Sequence, residues 1–313
     1  MSRRAVLRDA GAMIAAASTN DCGAPPGGVV NAPTNPALEG LEASIGGRVG
    51  VFAMDTGTGR ELAHRADERF AMCSTFKWAL AAAVLQRIDR GELTLDQEVP
   101  YGEADLLEYA PVTRANVASG AMTVSALAEA AVTVSDNTAA NLLLAHVDGP
   151  PGLTRFFRTI GDDITRLDRN EPTLNINEPG DPRDTTSPRA MVGALRAVLL
   201  GDALSPSSGG RLATWMKACR TGLDRLRAGL PTDWTVGDKT GTGMRGAAND
   251  VAIAWRPMGA PIVIASYLSD GPSAPSALNA AHRAIALAVA GAIAQGTLDR
   301  GRSPGETKPR TQD

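Results

Sequence analysis

The sequence predicts an α+β fold (α/β in the broad sense): a mostly antiparallel five-stranded sheet flanked by helices, with an all-α subdomain inserted as a block. Three observations predict it. Alternating residues over 48–55 meet a second run over 60–65 across Thr56-Gly57-Thr58-Gly59, the pattern of a hairpin. Three more strand-like runs cluster late in the chain, at 234–240, 250–255 and 261–268. Between the two groups, from about Ser74 to Gly222, strand patterns nearly vanish and helical punctuation takes over.

Taken in order, residues 1–8 are basic, 11–17 are short and weakly apolar, and an Ala-x-Ala site fits the anatomy of an export signal. Arg3-Arg4 ahead of so mild a centre resembles a twin-arginine leader. Thr19-Asn20-Asp21 before Cys22 lacks the small apolar residues of a lipoprotein site. Residues 24–36 are rich in Pro, Gly and Asn and read as a flexible join. A short helix over 38–45 precedes the hairpin. Helices follow at 74–90 (stopped by Gly91), 124–133, 137–146, 151–159 and 188–200, and after the late strands an Ala-rich helix runs from Ser276 to about Gln295. The organisation is therefore an export signal and join over 1–34, an α/β subdomain from 35–66 and 223–298, an all-α subdomain over 67–222, and a polar, disordered tail over 299–313.

Composition narrows the function classes. Lys and Arg number 31 against 34 Asp and Glu, so there is no basic excess for nucleic acid and no acidic tail. A small-molecule partner fits better. No run approaches the roughly 18 apolar residues of a membrane span. Cys22, Cys73 and Cys219 make no disulfide framework, and His64, His146 and His282 stand far apart without metal-ligand spacing, so neither a metal nor another cofactor is expected. No G-x-S-x-G elbow supports a His-based triad. Residues 241–246 spell G-x-G-x-x-G, but a strand follows where a dinucleotide site needs a helix. The expected state is a monomer.

The chemistry centres on Cys73-Ser74-Thr75-Phe76-Lys77, which opens an almost wholly apolar run from Trp78 to Leu85. Residues three apart on a helix are neighbours, so the amine of Lys77 is expected to reach Ser74. A helix without a polar stripe is buried on all sides, and burial disfavours the charged form of Lys, leaving a candidate base beside a candidate nucleophile. Ser135-Asp136-Asn137 lies between two helices. Lys239-Thr240-Gly241 ends a strand, where a cation and a hydroxyl can hold a carboxylate and the bare Gly241 lets a ligand lie along the strand edge.

In this order S-x-x-K, S-D-N and K-T-G resemble the active-site serine enzymes that react with penicillins. Arg169-Asn170-Glu171-Pro172-Thr173-Leu174-Asn175 is similar to the E-P-x-L-N loop of class A β-lactamases, and Arg183-Asp184-Thr185-Thr186 to its far end. The resemblance covers roughly residues 38–296. It implies that Arg169 and Asp184 pair across the base of an omega-shaped loop, that Ser74 is acylated, and that the N–H groups of Ser74 and Thr242 form an oxyanion hole. Either Lys77 or Glu171 through a water takes the proton. Ser135 passes one to the departing ring nitrogen, Asn137 bonds the substrate's side-chain amide, Lys239, Thr240 and Thr242 hold its carboxylate, and Glu171, helped by Asn175, activates the deacylating water.

The same resemblance makes Tyr109 an aromatic wall of the rim and Arg225 a carboxylate-binding residue. A carbapenem-hydrolysing subset has a cysteine before the nucleophile, as Cys73 is here, bridged to one two residues after K-T-G. That position is Gly243, so Cys73 and Cys219 are expected as free thiols. Thr242 and Arg225 still resemble residues of that subset. The implied activity is hydrolysis of penicillins and cephalosporins, with weak carbapenem hydrolysis and antibiotic resistance, in an exported, periplasmic or secreted protein. The alternatives are a penicillin-binding D-Ala-D-Ala peptidase, which shares the first three motifs, and a non-catalytic β-lactam sensor that stays acylated.

Overall fold

A computed structural model describes residues 36–300 apart from 273 and 297; the leader, most of the join, Cys22 and the tail beyond 300 lie outside the described residues. The chain runs α1 (Pro36–Ile45), β1 (Arg48–Asp55), β2 (Arg60–His64), β3 (Phe70–Ala71), α2 (Phe76–Asp89), β4 (Glu98–Pro100), α3 (Pro111–Ala115), β5 (Ala121–Thr123), α4 (Val124–Thr133) and α5 (Asn137–Ala145). It continues through α6 (Gly149–Thr159), β6 (Thr185–Thr186), α7 (Pro188–Leu199), α8 (Pro206–Lys217), β7 (Thr235–Thr242), β8 (Ala248–Trp255), β9 (Ile262–Ser269), α9 (Pro275–Gln295) and β10 (Asp299–Arg300).

The main sheet is antiparallel in the order β10-β2-β1-β9-β8-β7. Its five long strands are those the alternating patterns foretell. The sixth corrects the expected start of the tail: Asp299 and Arg300 pair with Glu61 and Arg60, held there as Leu298 packs into the core beneath. Period two divides the side chains between two cores. Val49, Val51 and Ala53 of β1 and Ile262 and Ile264 of β9 face α1 and α9, whereas Phe52, Val263, Ala265 and Tyr267 face the helical block. β7 is the sheet edge, so one of its sides is left for a ligand.

α2 is buried from Phe76 to Leu85, as its unbroken apolar face requires, and packs against α4, α5, α6 and α8. α9 is long and apolar enough to cross a membrane by length and composition, but it lays Leu278, Ala281, Ile285 and Val289 on the sheet. Some elements escape the sequence patterns. α8 begins Pro206-Ser207-Ser208-Gly209-Gly210, poor helix formers held by the Ser205 cap and by its buried Leu212, Trp215 and Met216. The ribbons β3–β6 and β4–β5 have strands of only two or three residues, too short for a period to register.

Candidate active site

Ser74 sits in a 3-10 turn, Cys73–Thr75, that delivers it to the start of α2. The turn is built round Met72, whose carbonyl accepts from Thr75 N (3.2 Å), Thr75 Oγ1 (2.8 Å) and Asn249 Nδ2 (3.0 Å), and Cys73 takes a left-handed φ of 46°. Gly241 lies against it. A Cβ on Gly241 would meet Met72 O at 2.6 Å and Ser74 N at 3.2 Å, so only glycine lets β7 approach the nucleophile this closely.

The direct Ser74–Lys77 contact expected from their spacing is not what holds the pair. They meet through Glu171, whose Oε1 accepts from Ser74 Oγ at 2.9 Å and lies 3.0 Å from Lys77 Nζ. Lys77 also donates to Ser135 O (2.9 Å) and Asn137 Oδ1 (2.5 Å), with Ser135 Oγ at 3.4 Å. Three close acceptors match the three hydrogens of an ammonium. Burial pushes the Lys77 pKa down, and the neighbouring Glu171 charge opposes that.

Glu171 is fixed from several sides. Asn175 Nδ2 donates to its Oε2 (2.6 Å), and Asn141 brackets its backbone, accepting from Glu171 N (3.0 Å) and donating to Glu171 O (2.9 Å). The Glu171–Pro172 peptide is cis. The loop base closes as expected: Asp184 accepts from Arg169 Nε (2.5 Å) and from the N–H groups of Asp168 (2.7 Å) and Arg169 (2.9 Å). Asn141 was not singled out from the sequence, although its place four residues after Asn137 puts both on one face of α5.

In the S-D-N turn Ser135 adopts φ 64°, uncommon outside glycine, and its Oγ lies 3.0 Å from Lys239 Nζ. Asp136 is structural. Its carboxylate caps α5 at Ala139 N and takes hydrogen bonds from Val112 N, Thr113 N and Thr113 Oγ1, tying the rim segment to the turn. Asn137 N donates to Tyr109 O, and the Tyr109 ring stands 51 % exposed at the rim. A cleft of about 500 Å³ is lined by Ser74, Ser135, Asn137, Asn175, Thr240, Gly241 and Thr242, with Tyr109 and Arg225 also on its wall. All twelve residues singled out from the sequence therefore gather in or directly behind one cleft.

Arg225 is held more tightly than a free ligand-binding arginine. Its guanidinium donates to Gly241 O (2.9 Å), Asn249 O (2.6 Å), Thr242 Oγ1 (2.8 Å) and Asn279 Oδ1 (3.2 Å), so it also braces the end of β7. Behind that strand Asp238 pairs with Arg227, and Asp250 accepts from Leu226 N; burial raises both carboxyls. Cys73 and Cys219 are free and buried. A Cβ at position 243 would come 2.6 Å from Cys73 Sγ, so position 243 faces this thiol, and the glycine there offers no sulfur to pair with it.

Lys239 is fully buried, and burial, aided by nearby Lys77, pushes its pKa down to about 8. Its ammonium therefore persists below pH 8 and is lost above it. If this ammonium holds an anionic substrate, kcat/KM should fall roughly tenfold per unit as the pH rises beyond 8. Lys239→Arg should move that limb upward. A limb unmoved in the arginine variant would assign the titration to another group.

Among the described residues no cluster of His, Cys, Asp or Glu is placed to hold a metal ion. Residues 34–293 match the β-lactamase enzyme family. The chain is 51 % identical over 235 residues to β-lactamase AST-1 of Nocardia asteroides, covering 75 % of this chain and 76 % of that one. It is 46 % identical over 303 residues to β-lactamase L2 of Stenotrophomonas maltophilia, covering 94 % and 98 %. Among solved structures, the class A β-lactamase of the last common ancestor of Gram-negative bacteria superposes with a TM-score of 0.81 at 55 % identity, covering 82 % of this chain and 97 % of that one. Sequence, fold and the meeting of serine, lysine and glutamate on one oxygen agree, and the chain belongs to the class A β-lactamases, serine hydrolases of the β-lactam ring.

Proposed function

We propose that Ser74 is the acylated nucleophile, and that Glu171 serves as base in both halves of the reaction. The observation that carries this is Glu171 Oε1, which accepts from the Ser74 hydroxyl and lies beside the Lys77 ammonium. In acylation the Ser74 oxygen bonds to the lactam carbonyl carbon as its proton passes to Glu171. The C–N bond then breaks, and the nitrogen takes a proton from Ser135. Ser135 is resupplied by Lys77 at 3.4 Å, and Lys77 by Glu171 at 3.0 Å, so the protons balance round a closed circuit. The N–H groups of Ser74 and Thr242 receive the oxyanion.

In deacylation Glu171 removes a proton from water, the hydroxide adds to the ester carbonyl, and Ser74 leaves with that proton. Asn175 supports this reading, because its buried Oδ1 has no protein partner and can receive a water hydrogen beside Glu171. Lys239, Thr240 and Thr242 bind the substrate carboxylate with Arg225 behind them, Asn137 takes the side-chain amide, and Tyr109 flanks it.

We also read the protein as a monomer without a membrane span, exported through a twin-arginine route, acting on penicillins and cephalosporins. Weak carbapenem hydrolysis belongs to the proposal because Arg225 and Thr242, which line the cleft, resemble residues of the carbapenem-hydrolysing subset. The test is turnover of a penicillin, a cephalosporin and a carbapenem by extracytoplasmic fractions of cells making the parent or an Arg3→Lys, Arg4→Lys variant. Rapid turnover is expected in the parent fraction and much less in the variant's. A parent that stays acylated overturns the enzyme reading, and undiminished export in the variant overturns the route.

A further inference from the structure

Thr221 appears in none of the motifs, yet it lines the cleft with its Oγ1 2.5 Å from Thr240 Oγ1. Its position is set from both sides. Arg220 N donates to Thr133 O at the end of α4, and Gly222 is pressed so closely on Asp238 that a Cβ there would fall 1.8 Å from Asp238 Oδ2. Behind Thr221, Cys219 Sγ lies at 3.3 Å.

A hydroxyl has one hydrogen to give. If Thr240 gave its hydrogen to Thr221, it would present lone pairs to an incoming carboxylate and repel it. If Thr221 is the donor, the Thr240 hydrogen is free to turn into the cleft. We infer that Thr221 is a positioning residue for the substrate carboxylate, donating to Thr240 Oγ1 so that the single Thr240 hydrogen points at the anion. This rests on the reading of Thr240 as a carboxylate donor.

The test compares Thr221→Val, Thr221→Ser and Thr240→Val on a chromogenic cephalosporin and on its carboxylate methyl ester. Thr221→Val keeps the shape and removes the hydroxyl. It should raise KM for the acid about three- to tenfold, the worth of one hydrogen bond, with kcat within about twofold, and leave the ester's KM unchanged. Thr221→Ser should match the parent. A parent-like KM for the acid in Thr221→Val, or equal losses on acid and ester, overturns the inference while the K-T-G reading survives. If Thr240→Val itself fails to tell acid from ester, the carboxylate reading falls and the inference with it.

Discussion

Glu171→Ala is expected to trap the enzyme as an ester on Ser74: one penicillin should remain attached, seen as a stable mass increase of one substrate, while steady turnover collapses. The asymmetry comes from Lys77. In the parent, Glu171 opposes the effect of burial on the Lys77 amine. Without that carboxylate, burial favours the neutral amine, which can take the Ser74 proton in Glu171's place, so acylation continues. No such substitute stands ready for water. Asn175 can orient it but is no base. Losing general-base catalysis should slow deacylation by roughly 10²- to 10⁴-fold. Normal turnover in this variant would take the deacylation role from Glu171. Failure to label while the fold is intact would show that Lys77 cannot replace it in acylation.

The second large effect is expected at a residue that touches no substrate. Asp184, 1 % exposed, holds Arg169 and two backbone N–H groups at the base of the loop that carries Glu171. Asp184→Asn keeps the volume but turns an acceptor into a donor, which must face either those N–H groups or the guanidinium. Removing one partner of a buried pair costs roughly 3–5 kcal/mol, and because Arg169 keeps some contact with water the loss should sit at the lower end. Local opening should then rise about 100-fold, read as faster amide exchange over residues 168–184 with α2 protection unchanged. Deacylation should slow at least about tenfold, since Glu171 is aimed only while the loop is closed. Parent-like exchange in the loop would mean that Asn141 and the rest of the loop suffice to hold it.

Much of this was legible because the chemistry is written locally. Ser74 and Lys77 stand on consecutive turns, the period-two strands record which faces are buried, and Gly241 marks a close approach that the Met72 carbonyl explains. What stayed hidden has a common cause. α8 opens with residues that disfavour helix and exists because Leu212, Trp215 and Met216 find a core. Asn249, which pins the nucleophile turn through Ala71 O and Met72 O, stands beside Asp250 as one of two polar residues in an otherwise apolar strand. Thr221 likewise carries no pattern of its own, and Asn141 is marked only by its place four residues after Asn137.

By itself the sequence determined which residue types could perform acyl transfer, the strands and most helices that carry them, and the absence of a thiol opposite Cys73. Only the tertiary structure decided who meets whom. It set Glu171 Oε1 rather than the Ser74 oxygen as the partner of Lys77, Arg225 as a brace for β7 as well as a wall of the cleft, and Asp136 as the anchor of its turn. The physical reason is separation along the chain. Ser74 and Glu171 lie 97 residues apart and Ser135 and Lys239 104 apart, so these hydrogen bonds form only when packing of the two cores has already met the entropy of bringing such distant segments together.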